Sequence, residues 1–190
     1  MTHDHDNHQH EEGLPILQVG QKAPKFHDVQ SYHKGEFHKV SLSDFVGKWL
    51  VLFFYPRDFT FVCPTEIEEF GKHYEAFKEI GCEIVGASTD SEHSHKAWYE
   101  TDKRLGHVMF PVLADTTLGT ALKYRILDTD GSSQRGTFII DPEGILRFML
   151  VSSDSVGRNI PETLRVVKAL QTGERCPAGW EQGKATLGKA

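Results

Sequence analysis

Hydrophobic positions along this chain change period several times, and each change marks an element. From Trp49 to Tyr55 every residue is apolar, the pattern of a central strand buried on both faces. Ile67, Phe70, Tyr74, Phe77 and Ile80 then recur every three or four residues, which predicts an amphipathic helix over Thr65–Ile80 closed by Gly81. Cys82–Ala87 returns to strand character, Ser91 to about Arg104 reads as a helix and Leu118–Tyr124 as a short one, so the middle of the chain is a β-α-β unit. Gly136–Ile140 and Ile145–Val151 flank Asp141-Pro142-Glu143-Gly144, a tight turn between antiparallel strands. A last helix starts at Asn159, with Pro161 close behind it and Leu164, Val167 and Leu170 on one face. Upstream, Phe26–Val29 and Phe37–Val40 around Lys34-Gly35 predict a hairpin.

At 190 residues and 38% hydrophobic content the chain suits one compact domain with extra length for a tail and an arm. Residues 1–12, with four histidines in the first ten positions, read as a disordered His/Asp-rich tail rather than a metal site, because nothing packed orients those side chains. Residues 13–171 form the domain. Residues 172–190, rich in Gly, Lys and Ala with Trp180 as the one large anchor, form an arm. The net charge of −6, without a Lys/Arg run, argues against nucleic acid and anionic membranes as partners. No apolar run approaches the roughly 18 residues of a membrane span. The N-terminus has neither a basic nor an apolar signal region, so the expected location is cytoplasmic. Three cysteines do not make a disulfide scaffold and point to catalytic or buried thiols.

The chemistry concentrates where the apolar strand runs through Pro56-Arg57-Asp58-Phe59-Thr60-Phe61-Val62 into a helix opening on Cys63-Pro64. Proline is pre-set for the first helical turn, so Cys63 falls at or next to the N-cap, where free N–H groups and the helix dipole favour an ionised sulfur. A strand feeding a helix that opens on cysteine also begins thioredoxin-like redox proteins, but theirs carries Cys-x-x-Cys, and here the first of those positions is Thr60. If Cys63 is redox-active, a more distant thiol has to resolve it. Cys82, in an alternating apolar strand, reads as a small buried hydrophobe. His93, His95 and Trp98 read as packing or surface residues.

Three segments resemble the typical two-cysteine peroxiredoxins, including the peroxidase subunit of bacterial alkyl hydroperoxide reductase. They are Phe54-Tyr55-Pro56-x-Asp58-Phe59-Thr60-Phe61-Val62-Cys63-Pro64-Thr65-Glu66, Arg135-Gly136-Thr137-Phe138-Ile139-Ile140-Asp141 and Gly173-Glu174-x-Cys176-Pro177-Ala178-x-Trp180. The resemblance covers essentially everything after about Gly20. It implies an α/β, thioredoxin-like fold with a central mixed sheet flanked by helices. It implies reduction of hydrogen peroxide and organic hydroperoxides without a metal or cofactor, in antioxidant defence. Cys63 becomes the peroxidatic cysteine, Cys176 the resolving cysteine, Pro56, Thr60 and Arg135 the rest of the active site, and Glu66 and Arg158 its support. The implied partners are a disulfide reductant, either a flavoprotein reductase or a thioredoxin, and a second copy of the chain, with inter-subunit disulfides and rings of five dimers. Relatives easily inactivated by peroxide carry a Gly-Gly-Leu-Gly insertion and a C-terminal Tyr-Phe. Asp102-Lys103-Arg104-Leu105-Gly106-His107 and the stretch up to Ala190 show neither, so a loosely held arm is expected.

Lowering a thiol pKa from roughly 8.5 to roughly 6 raises its thiolate fraction at neutral pH only about thirtyfold, worth about 2 kcal/mol. Enzymes commonly exceed about a millionfold. Most of the work therefore falls to groups that stabilise the breaking O–O bond, for which Arg135 offers a fixed charge, Thr60 a hydroxyl and the first helical turn its N–H groups. A thiol-disulfide oxidoreductase is disfavoured by Thr60, and a holdase or structural ring remains an alternative that peroxide consumption would separate.

Overall fold

The computed structural model describes residues 17–189. The tail expected over residues 1–12 lies outside the described residues. Seven strands form one sheet: β1 (Val29–His33), β2 (Glu36–Val40), β3 (Trp49–Phe54), β4 (Cys82–Ser88), β5 (Val112–Ala114), β6 (Arg135–Ile140) and β7 (Leu146–Ser152). Their order is β2-β1-β5-β4-β3-β6-β7, with β3, β4 and β5 parallel and the outer pairs antiparallel. Among the described residues, five α-helices and a 3-10 turn at Leu42–Phe45 complete the fold: α1 (Cys63–Lys72), α2 (Tyr74–Glu79), α3 (Glu92–Thr101), α4 (Gly119–Lys123) and α5 (Ile160–Gln171). No helix of the described residues is long and apolar enough to cross a membrane.

Alternation along β3 divides the core in two. Val51 and Phe53, with Tyr55 just beyond the strand, face α1, α2, α3 and α5 through Ile67, Phe70, Phe77, Trp98 and Val167. Leu50, Leu52 and Phe54 face the other way, onto Val85, Leu113, Ala121, Tyr124 and Phe138. A strand covered on both faces has no polar positions, which is why the run from Trp49 to Tyr55 reads as continuous apolar sequence.

The differences from the sequence pattern have local causes. The hairpin turns at Lys34-Gly35 as expected, both at positive φ, but its first strand is Val29–His33 rather than Phe26–Val29. Asp28 sits at φ 49 with its N–H on Ser41 Oγ at 2.9 Å, so the chain bends between the buried Phe26 and the strand. The single helix expected over Thr65–Ile80 is two, parted at His73. There the imidazole Nδ1 stands 3.0 Å from the Glu69 carbonyl, which also accepts the His73 N–H at 3.2 Å. The helix after Ser91 ends at Thr101, three residues before Arg104. Strand β5 is three residues long, too short to show a period.

The C-terminal segment, expected as an arm, closes on itself as a folded lobe. Arg175 donates its N–H to Gly188 O at 2.9 Å, Leu187 donates to Arg175 O at 2.8 Å, and Trp180 is only 4% exposed. Gly179 (φ 66) and Gly183 (φ 90) are what make it read as an arm, yet each supplies a turn that lets the segment close on itself.

Two predictions follow from this packing. A methyl group added at Gly136 would stand 2.8 Å from Phe138 Cε2 and 3.2 Å from Ile126 Cδ1. Gly136→Ala should therefore cost about 1–3 kcal/mol, read as a fall in Tm of about 2–4 °C per kcal/mol. Burial pushes the Cys82 thiol up to about 12. At pH 8 iodoacetamide should accordingly leave Cys82 unlabelled in the native protein and modify it only as the protein unfolds; mass spectrometry checks both.

Candidate active site

The carboxyl end of β3 delivers the chain into the loop that ends at α1. Tyr55 donates its N–H to Ala87 O at 3.0 Å, and its own carbonyl accepts from Ser133 Oγ at 2.7 Å, so both sides of the strand end are fixed. Pro56 follows, buried. Phe59 takes φ 56, the left-handed region that a bulky residue adopts only where its surroundings impose it. Those surroundings are a buried polar cluster. Asp58 accepts from the Tyr55 hydroxyl at 2.9 Å, lies 2.8 Å from His95 Nδ1, and has its N–H on Asp90 Oδ2 at 2.9 Å. His95 Nε2 in turn stands 3.1 Å from Leu113 O, which ties the loop to β5.

Cys63 is the first residue of α1, with Val62 as N-cap and Pro64 in the first turn. Its side chain is fully buried. Arg135, the first residue of β6, points a guanidinium at it, with Nη1 at 3.6 Å from Cys63 Sγ. The same Nη1 bonds Glu66 Oε2, while Nε and Nη2 donate to Asp154 O at 3.2 and 2.9 Å. Glu66, one turn along α1, takes the Arg158 N–H on its other oxygen at 2.9 Å, and Arg158 Nε lies 3.6 Å from that oxygen. Arg158 Nη2 donates to Phe54 O, and its guanidinium sits 5.2 Å from the centre of the Phe53 ring.

The side chains of Glu66, Arg135 and Arg158 are each no more than 3% exposed. Burial pushes Arg158 down to about 10, with Glu66 working against it, so it remains a cation at neutral pH. Arg135 is held above its ordinary value: burial lowers it, but Glu66 and the Cys63 sulfur more than offset that. Two cations thus flank one carboxylate, and the uncompensated charge faces Cys63 Sγ.

Thr60 lies in the same loop, half-buried, and donates its hydroxyl to Arg57 O at 2.9 Å. The N–H groups of Thr65 and Glu66 both turn to Val62 O, at 3.0 and 3.4 Å, rather than standing free as the sequence pattern implies. Cys63, Arg135, Glu66 and Arg158 therefore meet at the carboxyl end of β3, and Pro56 and Thr60 lie in the loop between that strand end and Cys63. Cys176 does not join them. It lies beyond the far end of α5, its sulfur 3.6 Å from Thr172 Oγ1 and 3.7 Å from Ala169 O. All three cysteines are free thiols. The Tyr55–Asp58–His95 cluster was not apparent from residue types, since a histidine on an amphipathic helix carries no mark of the carboxylate it will meet.

Residues 19–149 match the model of the AhpC/TSA family. A putative peroxiredoxin of Bacillus subtilis is 46% identical over 175 residues, 89% of this chain and 97% of that protein. Among solved structures, the reduced 2-Cys peroxiredoxin of Plasmodium vivax superposes with a TM-score of 0.86 at 37% identity, covering 90% of this chain and 93% of that one. The AhpC of Enterococcus faecalis superposes at 0.81, also 37% identical, over 85% of this chain and all of its own. The sheet and its flanking helices are thus the thioredoxin-like fold of those proteins, and the chain belongs to the AhpC/TSA family as a peroxiredoxin.

Proposed function

We propose that Cys63 attacks hydroperoxides and that Cys176 of a second subunit resolves the product. The observation that carries this is the guanidinium of Arg135, 3.6 Å from Cys63 Sγ and shared with Glu66. With a neutral thiol the site holds two cations and one anion; a thiolate balances it. In the reaction the sulfur forms a bond to one peroxide oxygen as the O–O bond breaks. The electron pair leaves on the second oxygen, which takes a proton and departs as water or an alcohol. Arg135 serves twice, because the charge that faces the sulfur also faces the oxygens onto which charge moves. Thr60 has committed its proton to Arg57 O, so toward a peroxide its hydroxyl acts as acceptor and orients the peroxide O–H. Pro56 walls the pocket.

The sulfenic acid on Cys63 is then attacked by the Cys176 thiol, which expels water and leaves a disulfide. A dithiol, from thioredoxin or a flavoprotein disulfide reductase, returns two electrons and two protons. Two features favour a partner's Cys176 over the chain's own. First, α5 begins beside Cys63, where Arg158 holds Phe54 O, and ends where Gln171 Nε2 donates to Ile80 O at 2.7 Å, ahead of β4. Twelve residues of helix span about 18 Å, whereas a disulfide needs Cα atoms within about 7 Å. Second, β7 is a sheet edge with Met149, Leu150 and Val151 exposed. Strand β7 runs in the same direction as β3, so a two-fold that pairs β7 antiparallel with its copy inverts the partner's sheet. The partner's α5 end then lies at the end of the sheet that holds Cys63. A homodimer follows, with five dimers to a ring as its larger form, acting in the cytoplasm in antioxidant defence.

Peroxide consumption with a dithiol reductant tests the cycle. Cys63→Ser should abolish turnover, while pre-reduced Cys176→Ser freed of added thiol should consume about one equivalent and stop, because the first step needs only Cys63 and no thiol is left to condense with the sulfenic acid. Oxidised parent protein should run as a disulfide-linked dimer on a non-reducing gel, and neither variant should. Turnover by Cys63→Ser would refute the assignment, and a monomeric band with a mapped Cys63–Cys176 bridge would refute the dimer.

Arg135→Met separates charge in the transition state from charge on the thiol. Measured on one variant, the Cys63 oxidation rate should fall well beyond the lost thiolate fraction. A fall in proportion to that fraction would remove Arg135 from the transition state.

A further inference from the structure

The lobe that carries Cys176 is closed on itself but thinly attached to the domain. Within it, the Arg175–Gly188 and Arg175–Leu187 backbone bonds tie its two ends together, Trp180 Nε1 donates to Lys184 O at 3.0 Å, and Thr186 Oγ1 donates to the Glu174 carboxylate. Such a segment is an Ω-loop, able to move as one piece. Between it and α5 lies a cavity of about 500 Å³ lined by Arg165, Val166, Ala169, Leu170, Cys176 and Pro177. Along that groove the two are not packed against each other, although Trp180 of the lobe is buried. Gly173, at φ 64, is the joint between them.

One charged side chain spans the gap. Arg165 on α5 places Nε and Nη2 on the two oxygens of Glu162 at 2.6 and 2.7 Å, and with that fork fixed it donates Nη1 to Trp180 O at 2.8 Å. Arginine alone has the geometry to hold a carboxylate by two donors and keep a third for a carbonyl. Meanwhile the Cys176 sulfur is turned onto Ala169 O and Thr172 Oγ1, against its own helix.

We propose that Arg165 is a clasp for the resolving cysteine: it fastens the lobe 174–188 to α5 and so sets how readily Cys176 leaves its seat to meet an oxidised Cys63. This rests on the reading of Cys176 as the resolving thiol. Arg165 is a positioning residue, acting through Trp180. Its consequence is a partition, because the sulfenic acid on Cys63 either condenses with Cys176 or meets a second peroxide and becomes sulfinic acid, with that peroxide as the oxidant and water as the by-product. A tight clasp lengthens the life of the sulfenic acid and favours the second fate.

Arg165→Gln tests this in the full-length protein. Amide hydrogen exchange on the reduced variant should quicken at Arg175 and Leu187, whose N–H groups close the lobe, and stay unchanged along α5. After a stoichiometric pulse of hydrogen peroxide, Cys63 oxidation should keep its rate, disulfide formation should speed up at least threefold, and the peroxide dose for half-conversion to sulfinic acid should rise by the same factor. Arg165→Lys, which lacks the fork, should behave as Arg165→Gln does. In a Cys176→Ser background Arg165→Gln should leave sulfinic formation unaltered. Unchanged exchange at Arg175 and Leu187, or disulfide formation no faster than in the parent, would overturn the clasp while leaving Cys176 as resolving thiol. If Cys176→Ser alone changes neither disulfide formation nor sulfinic dose, the resolving role fails and the clasp with it.

Discussion

Glu66 between Arg135 and Arg158 is the interaction on which the rest of the structure depends. Three charged side chains are buried together, and each comes from a different part of the chain: α1, the start of β6, and the approach to α5. Removing charges from water costs several kcal/mol per ion, and only close pairing with further hydrogen bonds repays it. Most of those bonds are present: Arg135 holds Asp154 O, Arg158 holds Phe54 O, and Glu66 takes the Arg158 backbone N–H, while Arg158 Nε and Nη1 are buried without a hydrogen-bond partner. The cluster thereby fixes where α1 begins relative to β6. That is the same statement as saying where the Cys63 sulfur stands relative to the Arg135 guanidinium.

A triad with two cations and one anion is not the arrangement that stability alone would select. Burial already pulls Arg158 down to about 10, a sign of how poorly a dry site tolerates the second guanidinium. In the proposed reaction the surplus charge has a use, because the sulfur and then the departing peroxide oxygen would each supply the missing anion. The loop on the other side is fixed by a separate device. The Tyr55–Asp58–His95 cluster holds the turn that leads to Thr60, so the loop and the arginine cluster are anchored independently on either side of Cys63.

Much of this was legible in the chain because it rests on local pattern. The run Trp49–Tyr55, the Cys63-Pro64 helix start, the Asp141–Gly144 turn and the Asn159 cap are each read from a few adjacent residues, and each stands where expected. Arg135 and Glu66 came from matching segments far apart in sequence, and Arg158 from the second arginine that the resemblance implies; spacing alone would not have joined them to Cys63. What escaped depends on contacts between distant residues. Asp28 bends the chain where its N–H meets Ser41 Oγ, and two helices part at His73, whose ring and N–H both lie at Glu69 O. The glycines of the C-terminal segment signal turns and looseness alike, and only the pairing of Arg175 with Leu187 and Gly188 decides between them.

Burial of Cys63 sets two steps of the proposed cycle against each other. Attack on peroxide needs the sulfur where Arg135 can reach it, which is the fully buried position at the first turn of α1. Bonding to another cysteine needs the opposite, since a side chain without exposure cannot bring its Cα within about 7 Å of a partner on another subunit. One helical turn therefore has to exist in two states, and the free energy between them is a local opening rather than global unfolding. The first turn is suited to this. Pro64 contributes no N–H to the ladder, and the N–H groups of Thr65 and Glu66 share a single carbonyl, that of Val62, at 3.0 and 3.4 Å. Unwinding it forfeits few backbone bonds, while Glu66 stays behind with the two arginines to keep the remainder of α1 in register for the return.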